Sequence, residues 1–152
     1  RYTLMKISAK GRYGLAAMAF LARIGQANSP TTILTISENL GISKIYLEQV
    51  FSLLKHARLV TSSKGSQGGY HLARAAQEIT AWDVLAAIEL PLTEKAGPAT
   101  GDAQEDLEQA LASCVYDPLD AAIRKSLQGV NLCAILEEAD RQKSNENIMY
   151  FI

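Results

Sequence analysis

The chain has 152 residues, 48% of them hydrophobic, a formal net charge of −1 and two cysteines. That is enough apolar material for one sizeable core, and no apolar run is long enough to span a membrane. Cys114 and Cys133 are too few for a disulfide scaffold and fit a reducing cytoplasm, which is the expected location. The near-neutral total hides a division. Residues 1–74 hold ten Lys or Arg against two acidic residues, and residues 75–152 hold five against fourteen. A half carrying about +8 attracts double-stranded DNA through counterion release. An anionic membrane surface is the alternative, but no basic amphipathic helix with an aromatic face supports it, so no membrane partner is expected.

In chain order, no hydrophobic leader follows Arg1, and Met5 reads as the native start behind a short expression remnant. From about Ser8 to Gly25, Tyr13, Ala17, Phe20, Leu21 and Ile24 recur at helical spacing and predict a helix with one buried face. Lys6, Lys10 and Arg12 crowd its start, where the helix dipole disfavours cations. Their positions point to a partner anion, with DNA phosphate the natural candidate; the alternative is cations that simply face water.

Residues 32–72 then read as helix, tight turn, helix and glycine-rich hairpin. Thr32 is placed to cap a helix over Ile33–Leu40, Gly41 makes the turn, and Ser43 is placed to cap the next helix. In that second helix Leu47, Val50, Phe51 and Leu54 form the stripe to be buried. Ile45, Gln49, Ser52 and His56 lie opposite, flanked by Lys44, Glu48 and Lys55. Such a face can read base edges, since Gln pairs with adenine and Glu accepts from cytosine in the major groove. A solvated surface is the alternative for any one of these residues. Leu59–Ser63 and Tyr70–Leu72 are β-prone and flank Lys64-Gly65-Ser66-Gln67-Gly68-Gly69, which predicts a wing. Its glycines let backbone approach a partner, and Lys64 at the tip offers a cation to phosphate. The glycine spacing lacks the strand-to-helix context of a phosphate loop.

A short helix is expected from about Ala81 to Glu89, ended by Pro91, followed by a connector rich in Gly, Pro and small polar residues. Leu107, Ala110, Leu111, Cys114, Val115, Leu119, Ala122, Ile123 and Leu127 then make a broad helical stripe. This is more than a small domain needs. The same helix of a second chain can cover it, giving a homodimer with two DNA-reading heads; packing within one chain is the alternative. Asp117-Pro118 predicts a kink or restart with Asp117 capping. The polar run 141–147 has no reason to pack and ends in the apolar Ile148-Met149-Tyr150-Phe151-Ile152. Read as a peptide ligand on a tether, it offers Met149, Tyr150, Phe151 and Ile152 to a partner; folding back onto a groove of the dimer is equally open. The expected organisation is a winged helix-turn-helix DNA-binding domain over 5–90, a connector over 91–103, a dimerisation region over 104–140 and a tail over 141–152. The fold class is mainly α with a small β-wing, a winged helix-turn-helix domain plus a long dimerisation helix.

Three segments together resemble the Rrf-two family of bacterial transcription regulators, which includes the IscR, NsrR and CymR proteins. They are Met5-Lys6-Ile7-Ser8-Ala9-Lys10-Gly11-Arg12-Tyr13-Gly14, Ile42-Ser43 with Tyr46-Leu47-Glu48-Gln49, and Lys64-Gly65 with Gly68-Gly69-Tyr70. The resemblance implies a homodimeric winged-helix DNA binder whose recognition residues fall at Ser43, Tyr46, Glu48 and Gln49, with Glu48 and Gln49 reading bases. Lys64 stands where a wing arginine often sits, keeping the charge but losing the fork geometry. The candidate DNA-contacting set is therefore Lys10, Arg12, Ser43, Lys44, Tyr46, Glu48, Gln49, Ser52, Lys64, Gly65, Gly68, Gly69 and Tyr70.

Many members of that family hold an iron–sulfur cluster through three cysteines and a histidine or acid. Here residues 93–109 contain no cysteine, Cys114 alone matches the last cysteine ligand, Asp117 stands where a histidine can follow it, and Cys133 lies far downstream. One chain cannot assemble the ligands, so no metal or cofactor is expected. Cys114 reads as an apolar residue of the stripe, with thiol or cluster sensing as the alternative. The C-terminus is similar to that of the cluster-free, CymR-like branch, repressors of cysteine and sulfur metabolism that pair with cysteine synthase. That likeness implies that Ile152 docks in the enzyme's active site. No nucleophile–base pair or metal constellation suggests an enzyme. A second alternative is an adaptor that binds DNA without specificity.

Overall fold

Ser8, Thr32 and Thr80 start three of the helices, and each does so through its hydroxyl. A computed structural model describes residues 6–25, 29–66, 68–92, 94 and 96–150. Ser8 Oγ accepts from the Gly11 N–H and opens α1 (Ala9–Ile24); Thr32 Oγ1 accepts from Thr35 and opens α2 (Ile33–Leu40). Gly41, at φ 66°, ends α2 in the left-handed region that glycine favours. α3 (Lys44–His56) follows at once. Ser43 stands at its N-terminus but makes no capping bond there, contrary to expectation. The turn is instead held by Ser37 Oγ, which donates to the Ile42 carbonyl at 2.6 Å.

The stripe expected on α3 is the one buried: Leu47, Val50, Phe51 and Leu54 have no exposed surface. They meet Ala17, Met18 and Leu21 of α1 and Ile36 of α2. On α1 the buried face is turned from the one expected. It runs along Gly11, Gly14, Ala17, Met18 and Leu21, while Ile24 is exposed. The reason is α4 (Ala81–Ile88), which lies so close that a Cβ on Gly14 would run into the Ile88 side chain. A search for apolar periodicity passes over a face made of glycines. β1 (Val60–Ser63) and β2 (Gly69–Leu72) pair antiparallel to form the wing.

Thr80 and Asp83 cap α4 reciprocally, the Thr80 N–H donating to Asp83 Oδ2 at 2.9 Å and the Asp83 N–H to Thr80 Oγ1 at 3.2 Å. No local sequence pattern announces the contact that follows. The Ala81 N–H donates to the Val130 carbonyl and the Leu132 N–H to the Ile79 carbonyl, so residues 130–132 lie beside 79–81 and Leu132 enters the core with no exposed surface. The core thus continues beyond residue 90.

α5 (Glu105–Leu111) and α6 (Asp117–Gln128) are joined by a π turn over Ala112–Tyr116. Asp117 does not cap a restarted helix. Its N–H donates to the Ala112 carbonyl five residues back, and Pro118 sits in the first turn of α6. The wider turn loosens the carbonyls that the proline ring would otherwise strike. α6 returns toward α4, placing the Arg124 guanidinium 4.6 Å from the centre of the Trp82 ring. Its other face carries exposed Leu119, with Val115, Tyr116 and Leu107 exposed along the same segment.

α7 (Leu132–Tyr150) corrects the expectation of a polar tether, for the run 141–147 is helical. Glu138 accepts from Arg141 Nε at 2.9 Å and from Gln142 Nε2 at 2.9 Å, one turn on, and these pairs tie the polar stretch into the helix. The Arg141 bond, then the Gln142 bond, hold the Glu138 carboxyl below the ordinary carboxylate range. Phe151 and Ile152 lie outside the described residues.

Because Leu132 joins α7 to a core built mostly from residues before 90, Leu132→Ala is expected to lower the stability of the whole domain by roughly 2–5 kcal/mol, the usual cost of a buried leucine. Urea unfolding followed by circular dichroism tests this. A loss confined to α7, with the rest melting as before, would contradict it.

Candidate nucleic-acid interface

With one face of α3 buried, the other is presented outward. Ile45, Glu48, Gln49, Ser52 and Leu53 line a shallow open groove of about 510 Å³ together with Lys10 from α1. Lys10 lies near α3 because the start of α1 crosses it: the Tyr13 and Tyr46 rings are 5.9 Å apart and tilted by 48°. Tyr46 thus braces α3 against α1 while half its surface stays exposed. Ser43, Lys44 and Ser52 are exposed, and the Ser43 hydroxyl makes no bond to the helix it precedes. Arg12 is exposed, but its Nη1 donates to the Ile7 carbonyl at 2.8 Å, folding the side chain back over the start of α1.

The anion expected at that start is internal. Glu89, the last residue of α4 to bond into its helix, places Oε1 2.8 Å from the Ser8 N–H and 2.5 Å from the Ser8 hydroxyl. A carboxylate at the positive end of α1 satisfies its dipole without DNA. The same contact explains Gly11, where a Cβ would collide with the Glu89 carboxylate. Lys10 remains free of this clasp and faces the groove.

The wing is divided in its use of residues. Tyr70 exchanges two backbone hydrogen bonds with Thr31, at 2.8 and 2.9 Å, which adds the segment before α2 to the edge of the hairpin. Its ring lies 4.6 Å from Phe51, so Tyr70 anchors the wing to the core through backbone and ring alike. Gly69 is required by that junction, since a Cβ there would stand 2.5 Å from the Thr31 carbonyl. Gly68 is crowded by the Ser63 and Gly65 carbonyls. Gly65, at φ 107°, is the one of the three with nothing around the Cβ position, and it sits next to exposed Lys64 at the tip. The structure therefore brings Lys10, Glu48, Gln49 and Ser52 together in one groove, sets Lys64 and Gly65 at the wing tip, and places Gly68, Gly69 and Tyr70 in the wing's own packing. Sequence reasoning passed over Leu53, Thr31 and Glu89. Only Leu53 had a signal, its place four residues beyond Gln49 and so on the same face of the helix.

The family model described as Rrf2, iron-dependent transcriptional regulator, matches residues 7–138. The chain belongs to the Rrf2 family of transcriptional regulators. It is similar to the HTH-type transcriptional regulator IscR of Vibrio campbellii, 36% identical over 144 residues that cover 91% of this chain and 84% of that protein. It is also similar to the regulator CymR of Bacillus subtilis, 43% identical over 89 residues, 59% of this chain and 64% of that one. The structure of CymR, described as the global cysteine regulator of B. subtilis, superposes with a TM-score of 0.69 at 31% identity, covering 89% of this chain and 98% of that chain. These likenesses agree with a mainly helical winged-helix fold carrying a two-stranded wing.

The family's description names iron, which needs donors. Four cysteine-type ligands are the usual requirement of a cluster. This chain has two cysteines, and they stand apart in kind: Cys114 is exposed on the π turn and Cys133 half-buried at the start of α7. No cysteine falls in residues 93–109. Among the described residues no three His, Cys, Asp or Glu side chains gather in a metal-holding group. The donors present do not fit an iron–sulfur cluster.

Gly69→Ala is expected to cost more than about 1 kcal/mol by forcing the wing off Thr31. The Tyr70 amide should then exchange its hydrogen faster while the amides within α3 keep their protection. Unchanged exchange at Tyr70 would contradict the assigned role of Gly69.

Proposed function

We propose that this protein is a sequence-specific DNA-binding regulator that acts as a homodimer on inverted-repeat operator DNA and represses genes of cysteine or sulfur metabolism. The observation that carries the DNA-reading part is the groove in which Glu48, Gln49 and Ser52 of α3 share one exposed surface with Lys10. Around it, residues 1–74 supply ten basic side chains against two acidic ones. α3 enters the major groove, Glu48 accepts from a cytosine amino group and Gln49 pairs with adenine. Lys10, Arg12, Lys44 and Lys64 meet phosphates, with the Ser43, Tyr46 and Ser52 hydroxyls as further donors and Gly65 allowing the wing tip close approach. Gly68, Gly69 and Tyr70 serve the same contact by holding the wing in place.

Exposed Leu107, Val115, Tyr116 and Leu119 support dimerisation, because an apolar face of this kind on one chain is covered by its symmetry mate. A dimer reads two half-sites about 34–36 Å apart, and occupying a promoter in this way blocks transcription. The likeness to a global cysteine regulator supports the choice of target genes. The partner is cysteine synthase, captured through Met149, Tyr150, Phe151 and Ile152. Met149 and Tyr150 are exposed at the end of α7, which supports their meeting a partner. Among the described residues no helix is long and apolar enough to cross a membrane, and DNA binding itself sets the site of action in the cytoplasm. The protein is a regulator and not an enzyme. Sensing through a thiol is the second reading, favoured by the exposed, free Cys114.

Fluorescence anisotropy with operator and random duplexes tests the central reading. Glu48→Ala should relax discrimination at one base position, worth about 1–3 kcal/mol, while Lys64→Ala should weaken both duplexes alike and reduce the salt slope by about one. Equal weak affinity of the unaltered protein for both duplexes would leave a non-specific adaptor.

The partner is tested separately. Cysteine synthase should bind the intact chain and lose at least tenfold in affinity when Ile152 is removed. Equal binding with and without Ile152 would refute capture through the tail.

A further inference from the structure

The groove-lining face of α3 is polar at Glu48, Gln49 and Ser52, and its first turn carries an exception. Ile45 is 67% exposed, more than any other aliphatic residue of the helix and well above Leu53 at 37%. The core does not require it there, since Leu47, Val50, Phe51 and Leu54 already bury the opposite stripe. Exposing a β-branched aliphatic side chain to water gains nothing for the isolated chain. Its neighbours in the groove are Lys10, Glu48 and Gln49, so whatever covers Ile45 also meets a cation, a carboxylate and an amide. That combination is ill suited to a second protein's apolar surface and well suited to the floor of the major groove. There the bases present donors, acceptors and a single apolar group, the 5-methyl of thymine. The N-terminal residues of a recognition helix are the ones that reach base edges.

We propose that Ile45 is a specificity-determining residue that reads thymine through its 5-methyl group. The inference rests on α3 being the DNA-reading helix. Isoleucine suits the task because its χ1 is restricted in a helix, so the methyl-contacting surface is set before binding. Its place is also constrained. Side chains three residues apart on a helix are about 5–6 Å apart at Cβ, and base pairs rise about 3.4 Å, so the thymine lies one or two base pairs from the position governed by Glu48.

The experiment uses the full chain and a duplex selected by it from a random-sequence pool. Each thymine is replaced in turn by deoxyuridine, which keeps every hydrogen-bonding group and removes only the methyl. At one thymine per half-site, one or two base pairs from the position relaxed by Glu48→Ala, the replacement should weaken binding about fourfold, the worth of one buried methyl-sized group. The penalty should vanish in Ile45→Ala, and because the position is exposed that variant should melt at the same temperature as the unaltered chain. A selected site with no deoxyuridine penalty, or a penalty that survives in Ile45→Ala, would overturn the inference and leave DNA reading by α3 standing. A pool that yields no enriched sequence would overturn both.

Discussion

Burial of four side chains on α3 decides the character of everything on its other side. Leu47, Val50, Phe51 and Leu54 are held without exposed surface by α1, α2 and the first strand, so the helix has no freedom to rotate about its axis. Ile45, Glu48, Gln49 and Ser52 face outward for that reason alone. Phe51 extends the constraint to the wing, because Tyr70 packs on it while bonding Thr31 through its backbone. α3 and the wing are thereby positioned by one packed cluster, and the geometry of their outward surface follows from the density of the core.

A second constraint works at the edge of that cluster. Glu89 clasps the start of α1 through both the N–H and the hydroxyl of Ser8, and it lies at the point where α4 gives way to the segment leading toward α5. The contact joins residues 81 positions apart and sits beside Lys10, the α1 residue that lines the groove on α3. The positive end of a helix, crowded with Lys6, Lys10 and Arg12, is stabilised from within the chain.

The remaining architecture turns outward. α5, the π turn and α6 leave an apolar face exposed, while Arg124 over Trp82 and residues 130–132 beside α4 secure the inner side. The π turn lets the segment pass Pro118 without breaking. A continuous helical support of this kind can carry an apolar surface at a distance from the groove on α3.

Features whose cause is local were legible in the sequence. Thr32, Gly41 and the period of Leu47, Val50, Phe51 and Leu54 announce helix, turn and helix because capping and periodicity act within one or two turns of chain. The glycines between Ser63 and Tyr70 announce the hairpin in the same way. Tertiary structure alone decided that Gly14 lies under Ile88, that Glu89 answers the start of α1, that Tyr70 packs against the core and that Leu132 completes it. Each depends on a neighbour brought from elsewhere in the chain. The polar run 141–147 fell between these cases: its composition reads as a tether, but Glu138, placed one turn before Arg141 and Gln142, lends it helical pairs. Sequence specifies what each residue can bond to within its own turn. Packing specifies which distant partner arrives first, because buried groups must be satisfied by whatever the fold places against them.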